Sequence, residues 1–209
     1  MKILFYIGIL SVLILTSCSK NNKGVDPSGM LTINGTKYPT VIIGSQTWTS
    51  VNYNGPGGVN YNNSSVNDPV YGKLYTYTEA EVVSLPSGWH LPMQSDFTTL
   101  LITMGATSTT GYYSLQDTSI VKLISKTTWT NVNGTNSTGF NAIATGFCHN
   151  LNFSNFGAMT NLLSSSEFPD GEHMSLQIFE PYGVEMFTGL NSVIPNVTDR
   201  GSVRFVKNN

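Results

Sequence analysis

From Met30 onward the chain alternates apolar and polar positions in short runs, separated by steps of small or turn-forming residues. Leu31-Thr32-Ile33 and Thr36-Lys37-Tyr38 flank Asn34-Gly35, two positions that tolerate positive φ, and predict a tight hairpin. Val41-Ile42-Ile43, a turn at Gly44-Ser45, and residues 46–51 predict a second one. Residues 52–72, rich in Asn, Gly and Tyr, read as loop. The apolar period then changes. Thr78-Glu79-Ala80-Glu81 fits a capping box for a short helix ending before Pro86. Phe97, Leu100, Leu101 and Met104, spaced by three and four, predict a helix starting near Gln94-Ser95-Asp96 and closed by Gly105. A further short helical piece is expected over 119–125. After Trp129, turn signals at Asn133-Gly134, Ser137-Thr138-Gly139, Asn155-Phe156-Gly157 and Asp170-Gly171 separate short strands. Those over 174–179, 184–187 and 202–206 are the clearest. Two helices in the front half among many short antiparallel strands predict an α+β domain.

The first residues have a different texture. Lys2 is followed by the apolar stretch 3–15 and then by Thr16-Ser17-Cys18, the layout of a secretory signal. The stretch is shorter than the roughly 20 apolar residues that span a bilayer. Leu15-Thr16-Ser17-Cys18 resembles the lipobox of bacterial lipoproteins, in which the cysteine is acylated and becomes the new N-terminus. The expected division is a signal peptide over 1–17, lipidated Cys18 with a flexible tether over 18–29, and one domain over 30–209. Ser19-Lys20-Asn21-Asn22-Lys23-Gly24 has the turn-forming, aperiodic composition of such a tether. The membrane is then met only through the anchor.

Charge narrows the partners. The chain carries 12 acidic and 10 basic residues, for a net charge of −2, with no basic stripe. Nucleic acid is therefore excluded as a partner. With Cys18 lipidated, Cys148 is the one remaining thiol, so no internal disulfide forms. Beside Phe147, it reads as a small buried apolar residue.

Gly88-Trp89-His90-Leu91-Pro92 resembles a motif of the Fibrobacter succinogenes major paralogous domain, a family abundant in lipoproteins of Bacteroidetes and Fibrobacteres. Other segments are similar to that family in order: Ile43-Gly44-Ser45-Gln46-Thr47-Trp48, Tyr71-Gly72-Lys73-Leu74-Tyr75, Thr138-Gly139-Phe140-Asn141-Ala142, Leu163-Ser164-Ser165-Ser166-Glu167 and Gly201-Ser202-Val203-Arg204-Phe205-Val206. The resemblance covers about residues 30–208. It implies a C-type-lectin-like fold, related distantly to formylglycine-generating enzymes, with N- and C-terminal strands pairing. It also implies structural roles for Trp48, Trp89, His90, Phe140, Asn141 and Arg204. Where the family often has a pair of cysteines, this chain has Leu85 and Phe205. An apolar contact between those two would stand in for the lost bridge.

Each candidate chemical group has a competing structural role. Trp89-His90 reads as a rigid corner with His90 hydrogen-bonded inside, because acid–base catalysis needs a second positioned group. Cys148-His149 pairs thiol with imidazole, but neighbours in a strand point to opposite faces. Asp170-Gly171-Glu172-His173 is a single turn that supplies too few ligands for a metal without help from elsewhere. Glu180-Pro181-Tyr182 matches the calcium loop of lectins only partly, so a structural calcium is unsupported and no cofactor is expected. Aromatics set among amides and hydroxyls remain: Tyr53, Tyr61, Tyr112, Tyr113 and Trp129. Such rings suit sugar stacking or protein contact.

The expected function is a lipid-anchored binding or adhesion module without catalysis, attached to the outer membrane and recognising a glycan or an envelope or host protein. A hydrolase or a degenerate formylglycine-generating-type enzyme is the alternative, and an assembly scaffold a third. Which face of the membrane it occupies stays open, since the tether lacks an acidic run.

Overall fold

Asn34 and Gly35 adopt φ of 48° and 82°, and the hairpin they turn pairs β1 (Met30–Ile33) with β2 (Thr36–Ile43). The structure is a computed structural model that describes residues 29–64, 68–109, 112–114, 117–167, 173–179, 183–188 and 199–209. The second expected hairpin joins β2 to β3 (Gln46–Thr49). A 3-10 turn at Tyr61–Asn63 and α1 (Asp68–Tyr71) then interrupt the stretch expected to be loop. Pro69 in the first turn of α1 gives up an N–H that would have no intrahelical acceptor.

Next come β4 (Leu74–Tyr75) and α2 (Tyr77–Glu81). The capping box lies two residues earlier than expected. The Glu79 amide donates to Thr76 Oγ1 (3.2 Å) and the Thr76 amide to Glu79 Oε2 (2.9 Å). Both Thr76 and Thr78 precede a Glu or acidic position suitably, and Thr76 wins because it is the first residue after β4 and is extended (φ −69°, ψ 162°). After β5 (Trp89–His90), α3 (Gln94–Thr103) starts where the apolar spacing placed it. It ends at Gly105, whose φ is 84°. Strands β6 (Thr107–Thr109) and β7 (Tyr112–Ser114) pair, and α4 (Asp117–Leu123) begins and ends two residues before the expected 119–125. The described residues thus hold four α-helices, where two and a further short helical piece were expected.

The remainder is β8 (Phe147–His149), β9 (Asn152–Ser154), β10 (Met159–Glu167), β11 (His173–Phe179), β12 (Gly183–Thr188), β13 (Gly201–Ser202) and β14 (Val206–Asn208). The single strand expected over 202–206 is two strands in two different sheets. Strand β14 lies between β3 and β5 in the order β1-β2-β3-β14-β5, and β13 lies between β10 and β4 in the order β12-β11-β10-β13-β4. The residues that cross between the sheets, Val203-Arg204-Phe205, are fully buried. They cannot continue one ladder because Arg204 must point into a polar cage, described below.

Alternation along β10 divides the interior in two. Leu162 joins the cluster of Trp48, Phe97, Leu100, Leu123, Phe140 and Leu176. Leu163, on the other face, joins the cluster of Leu31, Tyr38, Tyr53, Tyr75, Trp89 and Phe205. Leu85 packs against this second cluster, which also holds Phe205. Each fully buried large side chain contributes about 1.5–3 kcal/mol. Mixed helices and mostly antiparallel strands make the domain α+β. Among the described residues no helix is long and apolar enough to cross a membrane.

Candidate functional site

The motif residues converge on one buried guanidinium. Arg204 Nε donates to Asn52 Oδ1 (2.6 Å), Nη1 to the carbonyls of Thr49 (2.8 Å) and Phe140 (2.9 Å), and Nη2 to that of Asn141 (2.8 Å). The Phe140 ring lies under the cation at 5.3 Å. Phe140 in turn meets Trp48 edge-on, and Trp48 stacks on Phe97. Burial lowers the guanidinium pKa to about 9, so Arg204 remains a cation at neutral pH. Asn52 extends the polar set through Ser202 Oγ (3.2 Å), which contacts Thr145 Oγ1 (2.8 Å). These groups join strands, and none offers a nucleophile to solvent.

Trp89-His90 is a second structural station. His90 Nε2 lies 2.9 Å from Asp96 Oδ2, and its ring also bonds the Gly88 backbone. Asp96 is 2 % exposed and also accepts from the Met93 amide (2.8 Å), Gln46 Nε2 (3.2 Å) and Asn208 Nδ2 (3.1 Å). The bond to Asp96 raises the His90 pKa against the effect of burial. Cys148 is buried in β8, and burial pushes its thiol up. His149 beside it is exposed and bonds Asp199 (2.5 Å) and Asn150 (2.8 Å). Thiol and imidazole thus lie on opposite faces.

Two of the five candidate contact rings are interior, against expectation. Tyr53 is 3 % exposed, packed between Tyr38, Tyr75 and Phe205 at centroid distances of 5.2–5.5 Å. Trp129 is 7 % exposed and donates Nε1–H to the Ala142 carbonyl (2.9 Å). Their polar neighbours in sequence are partners of the buried network or of loops, not a sign of surface.

Tyr61 is different. Its ring lies 4.5 Å from Phe156 and 5.2 Å from Phe153, and Tyr71 lies 4.7 Å from Phe156. The 3-10 turn brings Tyr61, the end of α1 brings Tyr71, and the β8–β9 hairpin with the turn after it brings both phenylalanines. Phe156 is 38 % exposed, and Leu151 at the hairpin tip is 61 % exposed. The tip residues Asn150 and Leu151 have φ of 49° and 62°. The side chains of Asn62, Asn63 and Asn155 are exposed around the rings. An apolar face rimmed by amides is an arrangement for contact.

The model of the Fibrobacter succinogenes major domain family matches residues 30–207. The chain belongs to that family. No curated protein matches the chain, and no solved structure does. In this Fibrobacter succinogenes major domain, Trp48, Phe140, Asn141 and Arg204 form one interlocked station, while Trp89 and His90 form another. Both hold strands β3, β5 and β14 in register.

Among the described candidate contact side chains, Tyr61 lies on the aromatic face and Tyr53 and Trp129 do not. The side chains of Tyr112 and Tyr113, together with Cys18, Asp170-Gly171-Glu172 and Glu180-Pro181-Tyr182, fall outside the described residues. Among the described residues, no group of three His, Cys, Asp or Glu side chains is arranged to hold a metal. His173 instead stacks on Tyr77 at 3.3 Å with Glu167 nearby (3.5 Å), and burial pushes its imidazole down. Tyr71, Phe153 and Phe156 were missed in the sequence. The available signal was the charge-free run Asn152-Phe153-Ser154-Asn155-Phe156, whose rings are spaced by three.

Proposed function

We propose that this chain is a lipid-anchored, non-catalytic binding module of a bacterial outer membrane. In this reading residues 1–17 direct export, Cys18 carries the lipid, and the domain over 30–207 has a C-type-lectin-like arrangement in which strands near both ends pair. The Tyr61–Tyr71–Phe153–Phe156 face engages a glycan or protein. That aromatic face, on which Phe156 is exposed and the other three rings are half-buried, is the observation that carries the reading. Further support comes from chemistry committed elsewhere: Arg204, His90 and Asp96 are engaged in bonds that hold strands together.

Two measurements test it. Radiolabelled palmitate should enter the full chain and be absent from the Cys18→Ala variant, which should leave the membrane fraction. The full chain, purified in detergent, should bind members of a combined glycan and protein array, and Phe156→Ser should abolish that binding while the circular dichroism spectrum of the folded domain is retained. An array on which the wild type binds nothing, or on which it turns over what it meets, defeats the proposal.

A further inference from the structure

The aromatic face has an electrical property that selects among ligands. No Asp, Glu, Lys or Arg occurs between residues 52 and 67 or between 150 and 166, the two segments that supply Tyr61, Phe153, Phe156 and their surrounding amides. The third segment, α1, which supplies Tyr71, opens on Asp68. Lys73 Nζ bonds the carbonyls of Gly55 (3.1 Å) and Gly57 (3.4 Å), and Asp199 bonds His149 beside the hairpin tip. From this, and resting on the reading of the face as a contact surface, we infer that its ligand is an uncharged polysaccharide.

Three features argue for sugar over nucleic acid. First, the rings do not share a plane: Tyr61 and Tyr71 tilt by 36° and 54° to Phe156. Stepped ring faces fit consecutive sugar rings, which twist along a chain, each presenting an apolar C–H face. Second, the exposed side chains at the edge are Asn62, Asn63 and Asn155. An amide both donates and accepts, which matches hydroxyl groups that do the same. Third, a single-stranded nucleic acid would need a cationic groove beside the stacking rings, and none of these segments supplies a cation.

Neutral recognition has a measurable signature, because only charge–charge attraction is screened by salt. The full chain in detergent should bind at least one of xylan, mannan, β-1,3-glucan and galactan in affinity electrophoresis. Its affinity should stay level between about 0.05 and 0.5 M salt. Phe156→Ala should weaken it about tenfold or more, and Asn155→Gly, which keeps the left-handed backbone at φ 58°, about threefold, on the arithmetic of a lost stacking or hydrogen-bonding contact. The exposed Asn155 variant keeps the test valid should Phe156→Ala fold poorly. Binding confined to alginate or heparin, or binding that fades with salt, overturns the inference. So does patch-dependent capture of array proteins with no neutral polysaccharide bound, although that result leaves the contact surface standing. Binding of nothing on either panel removes both.

Discussion

Arg204 Nε donates to Asn52 Oδ1 across 152 residues of chain. Around this pair the two sheets meet, since Asn52 also holds Ser202 at the start of the crossing segment. A buried cation with carbonyl and amide partners is costly to create and costlier to disturb, because removing it strands every acceptor it served.

Arg204→Met should therefore destabilise the domain by about 3–5 kcal/mol. The carbonyls of Thr49, Phe140 and Asn141 would lose their donor, and Asn52 its strongest one. Arg204→Lys should recover only part of the loss, since an ammonium cannot fork toward four acceptors. Urea unfolding of the three proteins measures this, and a loss for Arg204→Met below about 1 kcal/mol would be inconsistent with the cage.

The His90–Asp96 pair should shape stability against pH. Its bond to Asp96 raises His90, so that contribution is complete below about pH 6.5 and fades as pH rises through the folded value. Burial opposes the charge on Asp96, but the bonds from His90, the Met93 amide and Asn208 carry its pKa below the usual range. Its contribution is complete above about pH 3.9 and is lost as pH falls through the lower folded value. His173 acts with opposite sign to His90: burial lowers it, so the unfolded chain takes up the proton first and stability falls as pH drops below about 6.5. Thermal melts from pH 4 to 8 should show His90→Gln flattening the alkaline decline and His173→Gln flattening the acid one.

Leu151→Gly should stabilise the domain by about 1 kcal/mol or slightly more, because a leucine at φ 62° carries a left-handed penalty that glycine escapes. With 61 % of Leu151 exposed, little packing is lost in exchange. Denaturant midpoints of the two proteins decide it, and a lower midpoint for the variant would mean that the leucine packs in solution.

Cys148 should resist modification in the folded state. The thiol is fully buried and its ionisation is disfavoured by that burial, and the thiolate is the reacting form. In a titration with Ellman's reagent, reactivity should appear only across the unfolding transition. Prompt labelling in native buffer would contradict the burial.

The sequence made local structure readable where one residue's backbone preference decides it. Asn34-Gly35 requires a hairpin, and the three-four spacing of Phe97, Leu100 and Leu101 requires α3. What it hid were choices settled by distant partners. Thr76 displaced Thr78 as helix cap because β4 ends at Tyr75, and residues 201–208 divided between sheets because Arg204 is drawn toward Asn52. The same long-range effect misplaced Tyr53 and Trp129. Asn52 looks like surface in a linear reading, yet it is the buried acceptor of a guanidinium, and Tyr53 follows it inward. The aromatic face was half legible. Tyr61 stood out among amides, whereas Tyr71 and the two phenylalanines acquire their role only when α1 and the β8–β9 hairpin meet.

The crossing at residues 201–208 also imposes an order in time. Strand β14 is inserted between β3 and β5, and β13 between β10 and β4, although both are made after every strand they pair with. During synthesis each sheet therefore has a gap in its middle rather than a ragged edge, and neither interior can seal. Closing contacts this distant in sequence come late and slowly. A nascent chain in that state locks only when residues 201–208 slide into both openings.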